Sequence, residues 1–362
     1  MKVNKLAYIL ILLVLVAAET LQGQAKYSNE FLNLGVGAKG LSLANTQVAM
    51  VDDVTSGYWN PAGLANVKNK YQISLMHAAY FANIANYDYA GISYRIDERQ
   101  TVGFTMIRFG VDGILNTTQL IDNQGNVNYD RITYFSVADW AALLSYGRKL
   151  AVEGLSVGVN FKIVHRRIGD FAHAWGFGLD GGLQYEIKKW KFGLMARDIT
   201  STFNAWAYQI PEKMKEVFIA TGNELPENGL ELTLPRLSLG FGRDFELGKG
   251  FTAMTTIDLD CPFDGKRNTI LTTKVFTVDP HLGLEFGYKD IVYLRASVGN
   301  LQKETDIDGK NIVTCQVNIG VGLTIKKVLT IDYALTDLGD ISIALYSHIF
   351  SLKLALNQFK KS

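Results

Sequence analysis

The side chains best suited to metal or acid–base chemistry are scattered along this chain. The histidines are His77, His165, His173, His281 and His348, and none belongs to an HExxH motif or lies four residues from another metal ligand. His165 and His173 bracket a predicted loop and can meet across a hairpin, but no other type of ligand lies near them. We therefore expect polar residues at strand ends rather than a metal site.

Two short motifs match part of a ligand-binding loop but lack the surroundings that such a loop needs. Residues 35–40 fit G-x-G-x-x-G, which binds a dinucleotide only between a strand and a helix of a βαβ unit. Residues 305–309 begin like a calcium loop but lack its closing glutamate, so they predict a hairpin turn. No G-x-S-x-G motif occurs. The sequence thus predicts no enzyme, no cofactor and no metal.

The charge balance and the cysteine content exclude further classes. The 362 residues contain 36 Lys and Arg against 35 Asp and Glu. A chain without excess positive charge is a poor candidate for a nucleic-acid-binding protein, because the affinity for nucleic acid depends on neutralising phosphates. Cys261 and Cys315 form no CxxC pair. Cys261 lies at the end of one predicted strand and Cys315 inside another, with two predicted strands between them. We expect two free thiols rather than a disulfide framework or a zinc site.

The N-terminus predicts export from the cytoplasm. Lys2 and Lys5 precede an apolar run at residues 6–18, and small residues with glutamine follow it. This is the layout of a secretory signal peptide, which we place at residues 1–23. The rest of the chain contains no apolar run near 18 residues. It is therefore either a soluble exported protein or an outer-membrane barrel, whose strands need only about 9 to 11 residues each.

The elements that must position these side chains are strands, because apolar and polar residues alternate over many segments. Residues 155–163, 328–336 and 350–356 show this period of two most clearly. Fourteen strands are predicted, at residues 71–79, 86–96, 100–109, 133–148, 154–167, 173–187, 190–199, 235–245, 250–260, 279–288, 291–299, 312–325, 328–336 and 347–356. Every second gap is short, whereas the gaps at 110–132 and 200–234 are long. This asymmetry predicts a 14-stranded antiparallel transmembrane β-barrel over residues 71–357, with a tail at 358–362.

Six charged residues lie on the polar faces of these strands. They are Asp180, Asp258, Glu285, Arg295, Asp332 and Lys353. In a barrel they face the lumen, where a wet or ion-paired interior accommodates them. If they faced bulk solvent, a soluble β-sandwich would explain the alternation equally well. Asp258 and Asp332 can pair as acid and base, but lumenal charges more often form structural ion pairs.

Residues 24–70 do not follow the strand pattern and are predicted to form a small N-terminal hatch. Trp59, Asn60, Pro61 and Gly63 belong to the motif that ends it. Proline fixes its own φ and pushes its neighbour into an extended conformation, and glycine relaxes the turn. In a barrel whose first strand begins near Tyr71, this segment starts on the periplasmic side. It is therefore placed to fold into the lumen, which in a barrel of this size is wide enough to need filling.

Several segments that span the mature chain carry a family resemblance, namely residues 27–41, 48–49, 52–56, 58–64, 129–139, 332–335 and 348–352. Together they resemble the PorV/PorQ family, a branch of the FadL-like outer-membrane barrels of Bacteroidota. The resemblance implies a fourteen-stranded barrel with an N-terminal hatch that works in the type IX secretion system. PorV-type members bind the C-terminal signal domain of secreted cargo and escort it from the translocon, and PorQ-type members belong to the attachment complex.

Two functions follow as expectations. The first is an accessory of type IX secretion in the outer membrane, with secreted cargo, translocon or attachment-complex proteins and outer-membrane lipids as partners. The loops at 110–132 and 200–234 would then carry recognition, since long loops on a rigid scaffold usually carry function. The alternative is a FadL-like transporter of hydrophobic small molecules through the outer membrane.

Overall fold

A computed structural model describes residues 28–80, 83–121, 124–265, 267–269, 271–273, 276–305, 309–338 and 346–357. The predicted leader at 1–23 and tail at 358–362 lie outside these residues. The described part holds seventeen strands, numbered β1 to β17 in chain order, in one sheet. No helix within it is long and apolar enough to cross a membrane.

Fourteen strands form the closed barrel wall, as the alternation and the gap lengths predict. They are β1 (Tyr71–Tyr80), β2 (Ala85–Arg95), β3 (Gln100–Asn116), β4 (Thr133–Lys149), β5 (Leu155–Ile168), β6 (Ala172–Ile187), β7 (Trp190–Arg197), β10 (Arg236–Gly248), β11 (Phe251–Pro262), β13 (Thr277–Tyr288), β14 (Val292–Thr305), β15 (Asn311–Ile325), β16 (Leu329–Leu338) and β17 (Ser347–Leu356). Each pairs antiparallel with its neighbours, and β1 pairs with both β2 and β17, which closes the wall. The open sandwich is therefore excluded.

The two faces of the wall differ as a barrel in lipid requires. On β17, the large apolar side chains of Phe350, Leu352 and Leu354 point outward and stay exposed, whereas Ile349 and Ser351 point inward and are buried. Outward apolar residues form the lipid-facing band of a transmembrane barrel, and inward residues line its lumen. The two rims also differ: one carries the short turns (the short-turn rim) and the other carries the long connections (the long-loop rim).

The long connections contain more structure than the sequence predicts. Strand β3 continues to Asn116, so the 110–132 segment is partly strand. Residues 203–232, which we name the finger, form β8 (Phe203–Tyr208), a helix and β9 (Gly229–Leu232). The reason is that β6 has 16 residues and β7 only 8, so β7 leaves the upper half of β6 unpaired. Strand β8 pairs with that half and satisfies its backbone groups. A two-residue strand, β12 (Leu271–Thr272), adds to β13.

The helices are short and most lie in the N-terminal segment. They are α1 (Ala38–Ser42), α2 (Ser56–Trp59) and α3 (Glu212–Ala220), with 3₁₀ turns at Glu30–Asn33, Pro61–Asn66 and Tyr129–Arg131. Residues 28–70, the described part of the hatch, are mostly buried and contact wall strands on opposite sides of the barrel. The lumen is therefore filled by this chain's own N-terminal segment.

The outward face of β17 can be tested with one charge. We expect Leu352→Arg to lower the free energy of unfolding in lipid vesicles by about 2–4 kcal/mol, because an arginine on the lipid face must leave water. Leu352→Phe is the matched control and should change it by less than about 1 kcal/mol. Reversible urea unfolding measures both. An arginine variant as stable as the phenylalanine variant would contradict the lipid-facing assignment.

Candidate functional site

The hatch motif is built around Asn60, whose side chain is completely buried. Its Nδ2 donates to the carbonyl of Val48 at 2.8 Å and to the carbonyl of Leu183 on β6 at 3.0 Å. Its Oδ1 accepts from the Ala62 N–H at 3.1 Å and caps the 3₁₀ turn that Pro61 begins. One side chain thus ties two hatch segments to the wall.

Trp59 and Gly63 hold the hatch together internally. The Trp59 indole N–H donates to the Val36 carbonyl at 3.1 Å, and its ring packs edge-on against Tyr58. A Cβ at Gly63 would lie 2.3 Å from the Val51 carbonyl oxygen, so a side chain has no room there. The predicted motif at residues 59–63 is thus buried in the part of the hatch that packs against the wall, which we name the hatch seat.

A row of glycines in the wall forms the hatch seat from the other side. Gly147, Gly158 and Gly182 lie opposite one another on β4, β5 and β6. A Cβ at these positions would lie 2.5 Å from the Pro61 carbonyl oxygen, 2.2 Å from the Pro61 carbonyl carbon and 2.0 Å from Asn60 Oδ1, respectively. Absent side chains therefore let the hatch backbone approach the wall directly.

Polar side chains of the wall accept hydrogen bonds from the hatch backbone. The Ala38 N–H donates to Ser351 Oγ at 3.0 Å, the Val48 N–H to Asp258 Oδ2 at 3.0 Å, and the Val54 N–H to Gln72 Oε1 at 2.9 Å. A buried backbone donor without a partner is costly, so these contacts fix how deep the hatch sits and how it is rotated.

One ion pair joins the hatch to the last strand. The Lys353 ammonium lies 2.6 Å from Asp53 Oδ2, and both side chains are largely buried. Burial pushes the pKa of Asp53 upward, but the charges of Lys353 and Lys39 outweigh it and hold that pKa below its usual range. Asp53 is therefore ionised at neutral pH and keeps its attraction to Lys353.

The other lumen-facing charges that the sequence predicts fall into separate groups on the inner wall. Arg295 bridges Glu285 and Asp332, at 2.6 Å from each. Asp180 pairs with Lys162 at 3.0 Å. Asp258 contacts the hatch as described above. Glu285 and Asp332 thus share one guanidinium, whereas Asp258 and Asp332 have different partners, and the arrangement is that of structural ion pairs.

Sequence reasoning did not select three further charged residues that face the lumen: Lys162, Arg197 and Asp198. Lys162 bridges Asp180 and Asp198. Arg197 donates to the carbonyls of Leu32 and Tyr58 in the hatch, at 3.0 and 3.2 Å. The sequence does contain a signal for Lys162, because it lies on the polar, lumen-facing side of the alternating segment at 155–163. Arg197 is the last residue of β7 and Asp198 follows it, and the alternation stops there and gives no signal.

Two chambers flank the hatch inside the described part of the barrel. The long-loop chamber measures about 440 Å³ and lies between the hatch residues Leu34, Leu41 and Ala44 and the wall residues Asp260, Asp279 and His281. The short-turn chamber measures about 460 Å³. Charged side chains such as Asp52, Lys68 and Lys191 line it together with uncharged ones. Each volume suits a small molecule. The hatch lies between the chambers.

The remaining candidates for chemistry stay apart. His281 lines the long-loop chamber 3.4 Å from Asp279, whereas His77 and His348 point outward and bond to Asp88 and Tyr333. The described residues contain no group of three His, Cys, Asp or Glu that could hold a metal.

The other motifs also supply no ligand site. Cys261 and Cys315 are free. The 35–40 motif lies in the hatch at the start of α1, with no βαβ unit around it. Residues 306–308 of the calcium-like segment lie outside the described residues.

The fold is shared with FadL-type barrels. No family model matches this chain, and no curated protein matches its sequence. Among solved structures, the Pseudomonas putida toluene transporter TodX matches with a TM-score of 0.57, 12% identity, and coverage of 90% of this chain and 99% of TodX.

Two further structures agree with that match. The CymD monoaromatic hydrocarbon channel gives a TM-score of 0.55 at 13% identity, covering 90% of this chain and 98% of CymD. A Pseudomonas aeruginosa FadL homologue gives 0.51 at 11% identity, with 88% and 97% covered. These likenesses show that the chain has the fold of a FadL-like 14-strand barrel.

The glycine row of the hatch seat generates a test with an internal control. We expect Gly182→Val to expose the hatch, because the new side chain overlaps Asn60. Gly181→Val lies next to it on the same strand but meets only the tip of Ile199, so it should leave the hatch in place. Limited proteolysis within residues 44–56 measures exposure. Equal protection in both variants would contradict the seat.

Proposed function

We propose that this chain is an outer-membrane protein of the FadL type in which the hatch gates a passage for small hydrophobic molecules. The observation that carries the proposal is a seated hatch with a chamber on each side, in a barrel whose fold is shared with hydrocarbon channels. The short-turn rim faces the periplasm in this arrangement, as in outer-membrane barrels generally.

The lining of the long-loop chamber supports a small amphipathic solute, because an apolar patch on the hatch side faces side chains that are mostly polar and include both arginines and carboxylates. Leu34, Leu41 and Ala44 supply an apolar wall on the hatch side. Asp260 and Asp279, which lie opposite each other on β11 and β13, supply acidic acceptors on the barrel side. An apolar patch that faces polar groups can orient such a ligand by contacting its apolar part on one side and its polar group on the other.

Passage needs displacement of the hatch, so locking the hatch tests the proposal. In a background with Cys261→Ser and Cys315→Ser, we combine Ala38→Cys and Ser351→Cys, because the Ala38 backbone nitrogen lies 3.0 Å from Ser351 Oγ and the two residues are therefore neighbours. Uptake of toluene and of phenethylamine into cells measures transport. We expect oxidation to reduce uptake at least tenfold and a reductant to restore it, because the disulfide holds the hatch on β17.

The single-cysteine variants are the controls for that experiment. Oxidation should leave their uptake unchanged. Equal uptake with the disulfide formed and broken would contradict a gating hatch.

A second candidate, an accessory of type IX protein export, is favoured by different observations. The hatch lies between the two chambers, which suits a docking scaffold as well as a gate. The finger also presents Ile219 and Leu230 with about 69% and 72% of their surface exposed. Trp206 and Arg166 hold its second strand through Glu231. A fixed element with exposed apolar side chains can dock a protein, and the PorV/PorQ resemblance implies the C-terminal signal domain of secreted cargo.

The finger separates this candidate from transport. If cargo docks there, Ile219→Ser combined with Leu230→Ser should weaken binding of a purified C-terminal signal domain at least tenfold, because exposed apolar anchors carry most interface energy. Ile84→Ser, at a similarly exposed position in another connection, is the control. Biolayer interferometry measures the affinity. The hatch lock should not affect it, so the two experiments distinguish the functions. Unchanged affinity in the finger variant would contradict cargo docking there.

A further inference from the structure

The short-turn rim carries excess positive charge. Its six turns, taken with three strand residues on either side, contain eleven Lys and Arg against six Asp and Glu. The segment 198–235 on the long-loop rim shows the reverse, with two basic and six acidic residues. The near-zero net charge of the whole chain therefore hides a difference between its two ends.

Lysines concentrate in four of these turns, and we name them the lysine rim. Its members are Lys188, Lys189, Lys249, Lys289, Lys326 and Lys327. They connect β6 to β7, β10 to β11, β13 to β14 and β15 to β16. The lysine rim thus extends along the barrel circumference instead of forming one compact patch.

Backbone conformation makes lysine an unexpected choice at these positions. Five members have a positive φ, with 59° at Lys188, 54° at Lys249, 53° at Lys289, 51° at Lys326 and 57° at Lys327. This region strains most L residues, and glycine or asparagine normally occupies it in tight hairpins. The chain therefore places charge where a neutral residue would fit the turn better.

The lysine side chains gain little inside the protein to offset that strain. Lys188, Lys249 and Lys326 are exposed, and no described residue forms an ion pair or side-chain hydrogen bond with them. These three ammonium groups are therefore exposed and available to a partner outside the chain.

Aromatic side chains show what lies beside this rim. Lys289 stands 5.1 Å from the ring of Tyr288 and Lys70 stands 4.6 Å from the ring of Tyr94. Arg243 stands 4.7 Å from the Trp190 ring. All three rings point outward at the short-turn ends of their strands. Outward Tyr and Trp rings mark the level of lipid headgroups, so the basic groups lie at that level as well.

We propose that the lysine rim binds the phosphate groups of anionic phospholipids in the inner leaflet of the outer membrane. This rests on the proposed placement of the barrel with its short turns toward the periplasm. A protein partner would need a compact patch, whereas a bilayer surrounds the barrel and meets all four turns at once. Basic residues at a membrane surface attract anionic lipids, and each lysine adds to the affinity.

The test uses the full-length protein in detergent and native mass spectrometry. Phosphatidylglycerol is titrated against phosphatidylcholine with the same acyl chains. The rim variant combines Lys188→Asn, Lys249→Asn and Lys326→Asn. The matched control removes three lysines from the long-loop rim: Lys215→Asn, Lys303→Asn and Lys310→Asn. We expect the wild type and the control to prefer phosphatidylglycerol, and the rim variant to lose at least tenfold of that preference.

Thermal unfolding of the same proteins separates charge from structure. Because asparagine tolerates positive φ better than lysine, the rim variant should melt at the same or a higher temperature while it loses lipid preference. A rim variant with unchanged lipid preference would overturn the proposal, and so would one that loses the preference only together with its fold. A wild-type chain that fails to insert into membranes would instead contradict the proposed placement.

Discussion

The constraint on which the whole structure depends is that backbone polar groups in lipid must find partners inside the protein. A sheet in lipid satisfies this constraint only when it closes on itself and has no free edge. Here the pairing of β1 with β17 closes the sheet. Closure creates a lumen, and the segment that fills the lumen brings its own backbone donors. Ser351, Asp258 and Gln72 accept from these donors. In both the wall and the hatch, backbone polar groups that are shielded from water therefore find hydrogen-bond partners within the chain.

The charged residues inside the lumen determine where the hatch sits more than they stabilise the folded protein. Breaking a buried ion pair is expensive, yet replacing a whole pair with apolar residues is often neutral, so such pairs are weak evidence for stability. The pair of Asp53 and Lys353 joins residues 300 positions apart and links the hatch to the last strand. Together with the glycine row on β4, β5 and β6, it leaves the hatch one way to fit.

The sequence predicts the wall well because a strand depends on the alternation of residues that are neighbours along the chain. Alternation and short turns located all fourteen wall strands, although β3 and β14 extend seven and six residues beyond their predicted ends at the long-loop rim. The finger was not predicted, because it forms to pair the free half of β6, which depends on how short β7 is. The hatch contacts were not predictable either. That Asp53 meets Lys353, or that Asn60 fits against Gly182, depends on closure of the barrel, which no spacing within the hatch reveals.

Hydrogen exchange at the hatch backbone tests the central claim, that the N-terminal segment is seated in a closed barrel, most directly. The amides of Ala38, Val48 and Val54 donate to wall side chains and have no helix or strand partner to protect them otherwise. In the intact protein reconstituted in lipid, the account predicts that these amides exchange as slowly as those of β5 and β6. Exchange at the rate of an exposed loop at all three would contradict it.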